Sequence, residues 1–170
     1  MYTSFSSDAG LFKIDLPSGA APMTMQNRKI ETSAGEMDMD FYLSYGENKI
    51  FMVGVLPHGM PEISETLTLE GLRYSRDMLG RSADILESDE FIFNGRPAVS
   101  LRYKKYQGEG DIYAYGMITD AAGIQYQIQV ASPDPEAVDD DEALRFQLSF
   151  RYTGGPQDRI KSLKSDTVVK

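Results

Sequence analysis

Residues 91 to 152 read FIFNGRPAVSLRYKKYQGEGDIYAYGMITDAAGIQYQIQVASPDPEAVDDDEALRFQLSFRY, and this stretch decides the fold class of the chain. Its first part holds three runs in which apolar and polar residues alternate, separated by short loops that contain glycine. This pattern is typical of antiparallel strands joined by tight turns, such as the turn predicted at Asn94 and Gly95. Its last part opens with Pro135 and a dense acidic run, which suits the first turns of a helix. The stretch therefore predicts a three-stranded meander followed by one helix.

The residues upstream of this stretch predict further strands and a second helix. The alternating run at 11 to 17 ends in proline and predicts a first strand. In residues 36 to 45 every odd position is apolar or aromatic, which predicts a strand whose odd positions face the core. Residues 48 to 57 are apolar on both faces and predict a central strand that is covered on both sides. The stretch from Ser64 to Leu79 has leucines at helical spacing, and close packing on the sheet would explain Gly71 within it.

Meandering strands with only two clear helices predict the α+β class. The expected architecture is an antiparallel sheet of about six to eight strands flanked by helices. A length of 170 residues fits one domain, which we assign to residues 10 to 152. Residues 1 to 9 are predicted to be a flexible lead-in. Residues 153 to 170 hold too few apolar side chains to fold alone and are predicted to be a flexible or partner-docking tail.

Composition narrows the classes of function. The chain has no cysteine, so it carries no disulfide and no cysteine-ligated zinc. Its net charge of −9 is unfavourable for binding nucleic acid or anionic lipid. No apolar run approaches the roughly 20 residues that a membrane-spanning helix needs, and the first residues, MYTSFSSDAG, show no signal peptide. We expect an extracytoplasmic (periplasmic or secreted) location if a signal peptide has been removed, and a cytoplasmic location otherwise. We expect membrane association only if a membrane anchor has been removed.

Four motifs of the chain are similar to those of a known family. They are GLFKIDLP at 10 to 17, NGRPA at 94 to 98, the YAYGM and GIQYQIQV pair between 113 and 130, and RFQLSFR at 145 to 151. Together they resemble the PsbP-like superfamily, which includes PsbP, the Mog-type Ran-binding factors and small bacterial lipoproteins. The resemblance covers about residues 10 to 152 and implies an α/β sandwich built on an antiparallel sheet. It also implies accessory, scaffolding, chaperone-like or partner-binding roles rather than catalysis. We expect no bound cofactor.

The alternation within the last three strands predicts one outward sheet face rich in polar and aromatic side chains. Tyrosine and arginine are typical of interface hot spots, and glutamines add adaptable hydrogen bonds. The predicted partner-binding residues are Arg102, Lys104, Tyr113, Tyr115, Gln125, Gln127 and Gln129. The opposite face is expected to carry Ala114 and Gly116 together with the isoleucines of the last strand. The alternative is that this polar face is solvated, or covered by a helix or by the tail.

The remaining candidate sites are weaker. Met23, Met25, His58 and Met60 offer soft thioether ligands and one imidazole, which suit Cu(I). His58 is the only histidine, and no Gly-x-Ser-x-Gly elbow is present to supply a nucleophile. The sequence therefore favours a non-catalytic accessory protein that binds a protein partner. A carrier of a small ligand or of Cu(I) is the alternative, and a hydrolase is the least favoured reading.

Overall fold

The computed structural model describes residues 1–32, 35–59 and 65–154, and only the backbone of residues 65–67. Within these ranges the chain forms ten strands and two helices. The strands are β1 (Tyr2–Ser7), β2 (Phe12–Pro17), β3 (Thr24–Thr32), β4 (Gly35–Tyr45), β5 (Ile50–Pro57), β6 (Asp84–Phe93), β7 (Arg96–Tyr106), β8 (Asp111–Ala121), β9 (Ile124–Ser132) and β10 (Arg151–Tyr152), and the helices are α1 (Glu65–Leu79) and α2 (Asp141–Leu148). Neither helix in the described ranges has the length and the apolar character needed to cross a membrane.

The strands form two antiparallel sheets. Seven of them make a large sheet in the order β3-β4-β5-β9-β8-β7-β6, and β1, β2 and β10 make a small one. The small sheet and α2 pack on one side of the large sheet, which we call the first face, and α1 packs on the other side, the second face. This arrangement confirms the predicted α+β class, a sheet of six to eight strands flanked by helices.

The main core lies between the first face and the small sheet. Phe12 of β2 is fully buried there, and its ring centroid lies 5.0 Å from that of Tyr42 and 5.9 Å from that of Phe150. Tyr126 is also fully buried, and its hydroxyl donates a hydrogen bond of 2.6 Å to the Gly10 carbonyl. Burial raises the pKa of Tyr126, so the hydroxyl stays protonated and remains a donor. This aromatic cluster joins the two sheets.

A second, smaller core lies between α1 and the second face. Leu72 of α1 is fully buried against Val99, Leu101 and Ile118 of β7 and β8. Gly71 does not contribute to this packing. It is exposed, and a Cβ added to it would meet no atom within 4 Å. The expectation that close packing explains this glycine is therefore wrong.

The first residues of the chain are not a flexible lead-in. Residues 2 to 7 form β1, which pairs with β2 along its whole length. Phe5 packs against the main core, and the Ser7 hydroxyl donates a hydrogen bond of 2.9 Å to the Tyr42 hydroxyl. Serines and threonines occupy most of the other positions, so the apolar signal of this strand is weak. The predicted tail lies largely outside the described residues, which end at Gly154.

The strand β4 buries side chains on both faces rather than on one. Tyr42 and Ser44, which the alternation places outside, are buried in the first face. Met39, on the second face, is also buried, because its side chain lies over Gly54 of the neighbouring strand β5. The prediction that only the odd positions of this strand face the core is therefore wrong: the sheet is covered in part on both sides.

Candidate partner-binding surface

The seven residues predicted to form one outward face do not lie on the same side of the sheet. In the register of β8 and β9, Tyr115 pairs with Val130 and Gly116 pairs with Gln129. Residues that pair directly point to the same face. Arg102, Lys104, Tyr113 and Tyr115 therefore belong to the first face, and Gln125, Gln127 and Gln129 belong to the second. The prediction of a single shared face is wrong.

The first-face group is engaged largely within the chain. The Arg102 guanidinium lies 4.4 Å from the centre of the Tyr115 ring and donates a hydrogen bond of 2.8 Å to the Asp139 carboxylate. The Gln147 side chain of α2 donates to the Tyr115 carbonyl at 3.0 Å. Lys104 and Tyr113 pair across β7 and β8 and are half-buried. The loop before α2 and the helix itself thus cover much of this group.

The glutamines are structural on the second face. Gln125 and Gln129 are buried, and Gln127 is half-buried. The Gln125 side chain accepts a hydrogen bond of 2.9 Å from the Ser75 hydroxyl of α1. The Gln129 side chain crosses Gly116 and accepts a hydrogen bond from Tyr103, whose pKa burial raises to about 12. These amides satisfy polar groups beneath and beside α1.

Among the described residues, no helix covers the apolar part of the second face that lies beyond α1. This helix packs on β7 and β8, at one side of the sheet. Where β4 and β5 pair, five apolar or aromatic side chains stay half-buried or exposed on the same face. They are Phe41, Leu43, Tyr45, Ile50 and Met52, which we call the open half-face. Tyr45 is 51% exposed. The prediction that residues 48 to 57 form a strand covered on both faces holds at Gly54 and Leu56, which are buried on the second face, but is wrong at Ile50 and Met52, which are half-buried there.

An ion pair between a buried lysine and two partly exposed carboxylates holds α2 beside the end of this surface. The ammonium of Lys49, on the turn between β4 and β5, lies 2.5 Å from Asp140 and 3.5 Å from Glu142. Only 4% of the Lys49 side chain is exposed. Asp140 also caps α2 by accepting a hydrogen bond from the Ala143 N–H. Burial raises the pKa of Asp140, but the hydrogen bonds from Lys49 and Ala143 outweigh it and hold that pKa below its ordinary value.

The residues proposed for Cu(I) do not come together. Met25 is level with Val53 in the sheet, five residues before His58 along the direction of β5. At ~3.3 Å per residue this separation is about 17 Å. His58 instead lies 2.7 Å from the Asp120 carboxylate, and Met23 packs against the main core. Met60 lies outside the described residues. In those residues no group of three or more His, Cys, Asp or Glu side chains is placed to hold a metal ion.

Comparison with known proteins identifies the fold. No protein-family profile and no curated protein sequence matches the chain. The solution structure of cyanobacterial PsbP (CyanoP) from Synechocystis sp. PCC 6803 is similar, with a TM-score of 0.51, 12% identity and coverage of 89% of this chain and 92% of that one. A crystal structure of a protein from Bacteroides thetaiotaomicron VPI-5482 has the same TM-score and identity, over 88% of this chain and 47% of that one. At this identity the likeness shows the fold alone, and it confirms the predicted PsbP-like α/β sandwich.

Proposed function

We propose that this protein is a non-catalytic accessory protein that binds a protein partner through the open half-face. The observation that carries the proposal is the apolar row on β4 and β5, over which no helix lies in the described part of the chain. Contiguous exposed apolar surface is uncommon on soluble proteins and often marks an interaction site. The PsbP-like fold supports the same reading, because the resemblance implies accessory and partner-binding roles.

The composition of the open half-face suits a protein interface. Tyrosine, phenylalanine and methionine are enriched at the centres of such interfaces, and charged residues are depleted there. The five side chains include one of each, and none is charged. Half-buried side chains such as Leu43 and Met52 are already held by their neighbours, so they lose little conformational entropy when a partner covers them. A flat apolar strip of this kind favours a broad contact rather than an enclosed small ligand.

The polar groups near the other end of the sheet do not favour a hydrolase. His58 and Asp120 form a close pair, which could hold an imidazole as a general base. Nucleophilic catalysis would also need an activated hydroxyl or thiol beside that imidazole. The Ser75 hydroxyl, which lies on the same face, donates instead to the Gln125 side chain. The pair therefore supports a structural role at the end of β5.

The proposal can be tested by photocrosslinking from two adjacent residues of β3. Gln26 is exposed and lies beside Phe41 on the second face, whereas Met25 is exposed and lies beside Tyr42 on the first face. Benzoylphenylalanine placed at Gln26 should give a discrete adduct in living cells on irradiation. The same group at Met25 is the matched control, because this position is also exposed but its side chain points to the first face. It should give no adduct.

The captured protein must then bind directly. It should be purified and titrated against the wild type and against Leu43→Ser, which makes the open half-face polar without adding volume. We expect the variant to bind at least about tenfold more weakly, because a central apolar contact is worth roughly 1–2 kcal/mol or more. Equal adducts from Gln26 and Met25, or equal affinity of the wild type and a folded Leu43→Ser variant, would contradict the proposal.

A further inference from the structure

A groove lies at the end of the large sheet, next to the open half-face. It has a volume of about 400 Å³ and forms where the β4–β5 turn meets the start of β8 and the loop after β9. Its apolar walls include Tyr45, Ile50, Ile112 and Ala131. Tyr45, Ile50 and Ala131 are direct neighbours in the register of β4, β5 and β9. The groove therefore continues the open half-face around the end of the sheet.

Two exposed carboxylates stand at the rim of this groove. They belong to Glu47 in the turn and to Asp134 in the loop after β9. The loop is held in place, because the Ser132 hydroxyl donates to the Asn48 carbonyl at 2.6 Å and accepts from the Asp134 N–H at 3.0 Å. The Asp134 carboxylate in turn accepts the Glu136 N–H at 2.9 Å. At least one of the two carboxylates is thus oriented before anything binds.

The lysine that lines the groove does not neutralise this rim. Lys49 directs its ammonium to Asp140 and Glu142, and its side chain is almost fully buried in doing so. No ion pair of the described residues joins Glu47 or Asp134 to a basic side chain. Both carboxylates therefore stand at the rim of the groove without a basic partner among the described residues.

The surroundings add to the negative potential of the groove. Four further acidic residues lie at the same end of the sheet, namely Glu109, Asp111, Glu136 and Asp141. Three further basic residues lie at this end: Arg102 binds Asp139, Lys104 lies beside Asp84 in the register of β6 and β7, and the exposed Lys105 lies beside Ile112 of the groove. The acidic residues outnumber them. A concave site with one sign of charge attracts the opposite charge, so an anionic occupant is disfavoured.

We infer that the groove binds a lysine or arginine side chain of the protein partner. This inference rests on the proposed function, since the groove continues the surface that the partner covers. The aliphatic stem of such a side chain packs on Tyr45 and Ile50, and its charged head reaches Glu47 and Asp134. Lysine and arginine commonly bury their stems along apolar surface while the head stays at a polar rim. A neutral apolar group would leave the two carboxylates unused.

The inference can be tested with a small probe that carries both features. n-Hexylammonium has an aliphatic stem and a cationic head, and n-hexanol has a similar stem without charge. In ¹⁵N-labelled full-length protein, n-hexylammonium should shift the amide signals of residues 45–50, 112 and 131–134. Two solvent-accessible carboxylates should make it bind about fivefold more tightly than n-hexanol, and added salt should remove most of that difference.

Isosteric variants separate the charge from the shape of the groove. Glu47→Gln with Asp134→Asn should lower the affinity for n-hexylammonium to that for n-hexanol. Asparagine at position 134 keeps an oxygen acceptor for the Glu136 N–H, so the loop should stay folded. If the double variant does not fold, the two single variants are titrated in its place. Glu31→Gln with Asp8→Asn, at exposed positions elsewhere, is the matched control and should change nothing.

The outcomes distinguish this inference from the proposed function. Equal affinity for the two probes, unchanged affinity in the double variant, or shifts spread outside the groove would overturn the inference, even if the adduct at Gln26 forms. A missing adduct at Gln26, together with charge-dependent binding of n-hexylammonium in the groove, would count against the proposed function and not against the cation site. Tight binding of Ca²⁺ alone, abolished in the double variant, would also overturn the inference, since it would make the rim a metal site.

Discussion

The substitution Gly116→Ala tests how the two faces of the sheet are divided. Gly116 lies on β8 and faces the second face, and the Gln129 side chain crosses it to reach Tyr103 on β7. An ideal Cβ at this position would overlap the Ile128 carbonyl oxygen and would lie 2.8 Å from the Gln129 Cα. Both atoms belong to the backbone of the neighbouring strand β9, so rotation of a side chain cannot relieve the contact.

The expected loss of stability follows from these contacts. Overpacking a buried site typically costs 1–3 kcal/mol, and a clash with backbone atoms puts Gly116→Ala at about 3 kcal/mol. For a domain of this size, each 1 kcal/mol corresponds to roughly 2–4 °C, so the melting temperature should fall by about 6–12 °C. The hydrogen bond between Gln129 and Tyr103 should weaken as well, because the added methyl group would displace the Gln129 side chain that crosses Gly116.

Gly71→Ala is the matched control, because it makes the same chemical change in open space. Gly71 is exposed within α1, so alanine should stabilise the protein by up to about 1 kcal/mol through helix propensity. Urea denaturation followed by circular dichroism measures both free energies of unfolding. If the free energy of unfolding of Gly116→Ala lies within about 0.5 kcal/mol of the wild-type value, the close approach of the β9 backbone to Gly116 is wrong.

Three further outcomes follow from the polar contacts. Tyr126→Phe should cost about 1–3 kcal/mol in urea denaturation, because it leaves the buried Gly10 carbonyl without its donor. Asp140→Ala should lower the free energy of unfolding by about 2 kcal/mol or more, because it removes the N-cap of α2 and leaves the buried Lys49 ammonium underpaired. Lys49→Met should lower it by less than about 1 kcal/mol, because it does neither. The stability loss of Asp140→Ala should fade as the pH falls below about 4, where the carboxyl of the unfolded wild type becomes protonated. The pKa of Tyr103 is about 10 in the unfolded chain and about 12 in the folded protein, so between these pH values the hydroxyl ionises mainly in the unfolded state. The wild type should therefore lose more stability than Tyr103→Phe as the pH rises from about 10 to 12, as measured by chemical denaturation.

The periodicity of the sequence was sufficient to predict the class of fold. Strands β7, β8 and β9 lie where the alternation places them, and the Asn94–Gly95 turn has the positive φ angles of 50° and 78° that such a turn requires. The acidic run leads into a helix as predicted, but α2 begins at Asp141 and not at Pro135, so only Asp141 and Glu142 lie in its first turn and Asp140 caps it. These features depend on local propensity and on turn chemistry, and both can be inferred from a single sequence.

The division of side chains between the faces was not predicted, because β8 is apolar on both sides. Ile112, Ala114 and Ile118 alternate with Tyr113 and other large side chains, so burial alone gives no preference for either face. A shift of one position moves every side chain of a strand to the other face. One signal could have resolved it. The turn between β8 and β9 has two residues with positive φ, 52° at Ala122 and 88° at Gly123, and a two-residue turn pairs the residues that flank it.

The open half-face, by contrast, follows from the number of helices. A helix is about 10 Å wide and strands lie about 4.8 Å apart, so one helix covers roughly two strands. The large sheet has seven strands, and α2 joins the small sheet on the first face, which leaves α1 as the one helix of the described residues on the second. Within the described part of the chain, the open half-face on β4 and β5 therefore has no helix over it. Their second-face side chains are nonetheless apolar, as in strands that are covered, and this mismatch between sequence and coverage is the physical reason to expect that another molecule completes the layer.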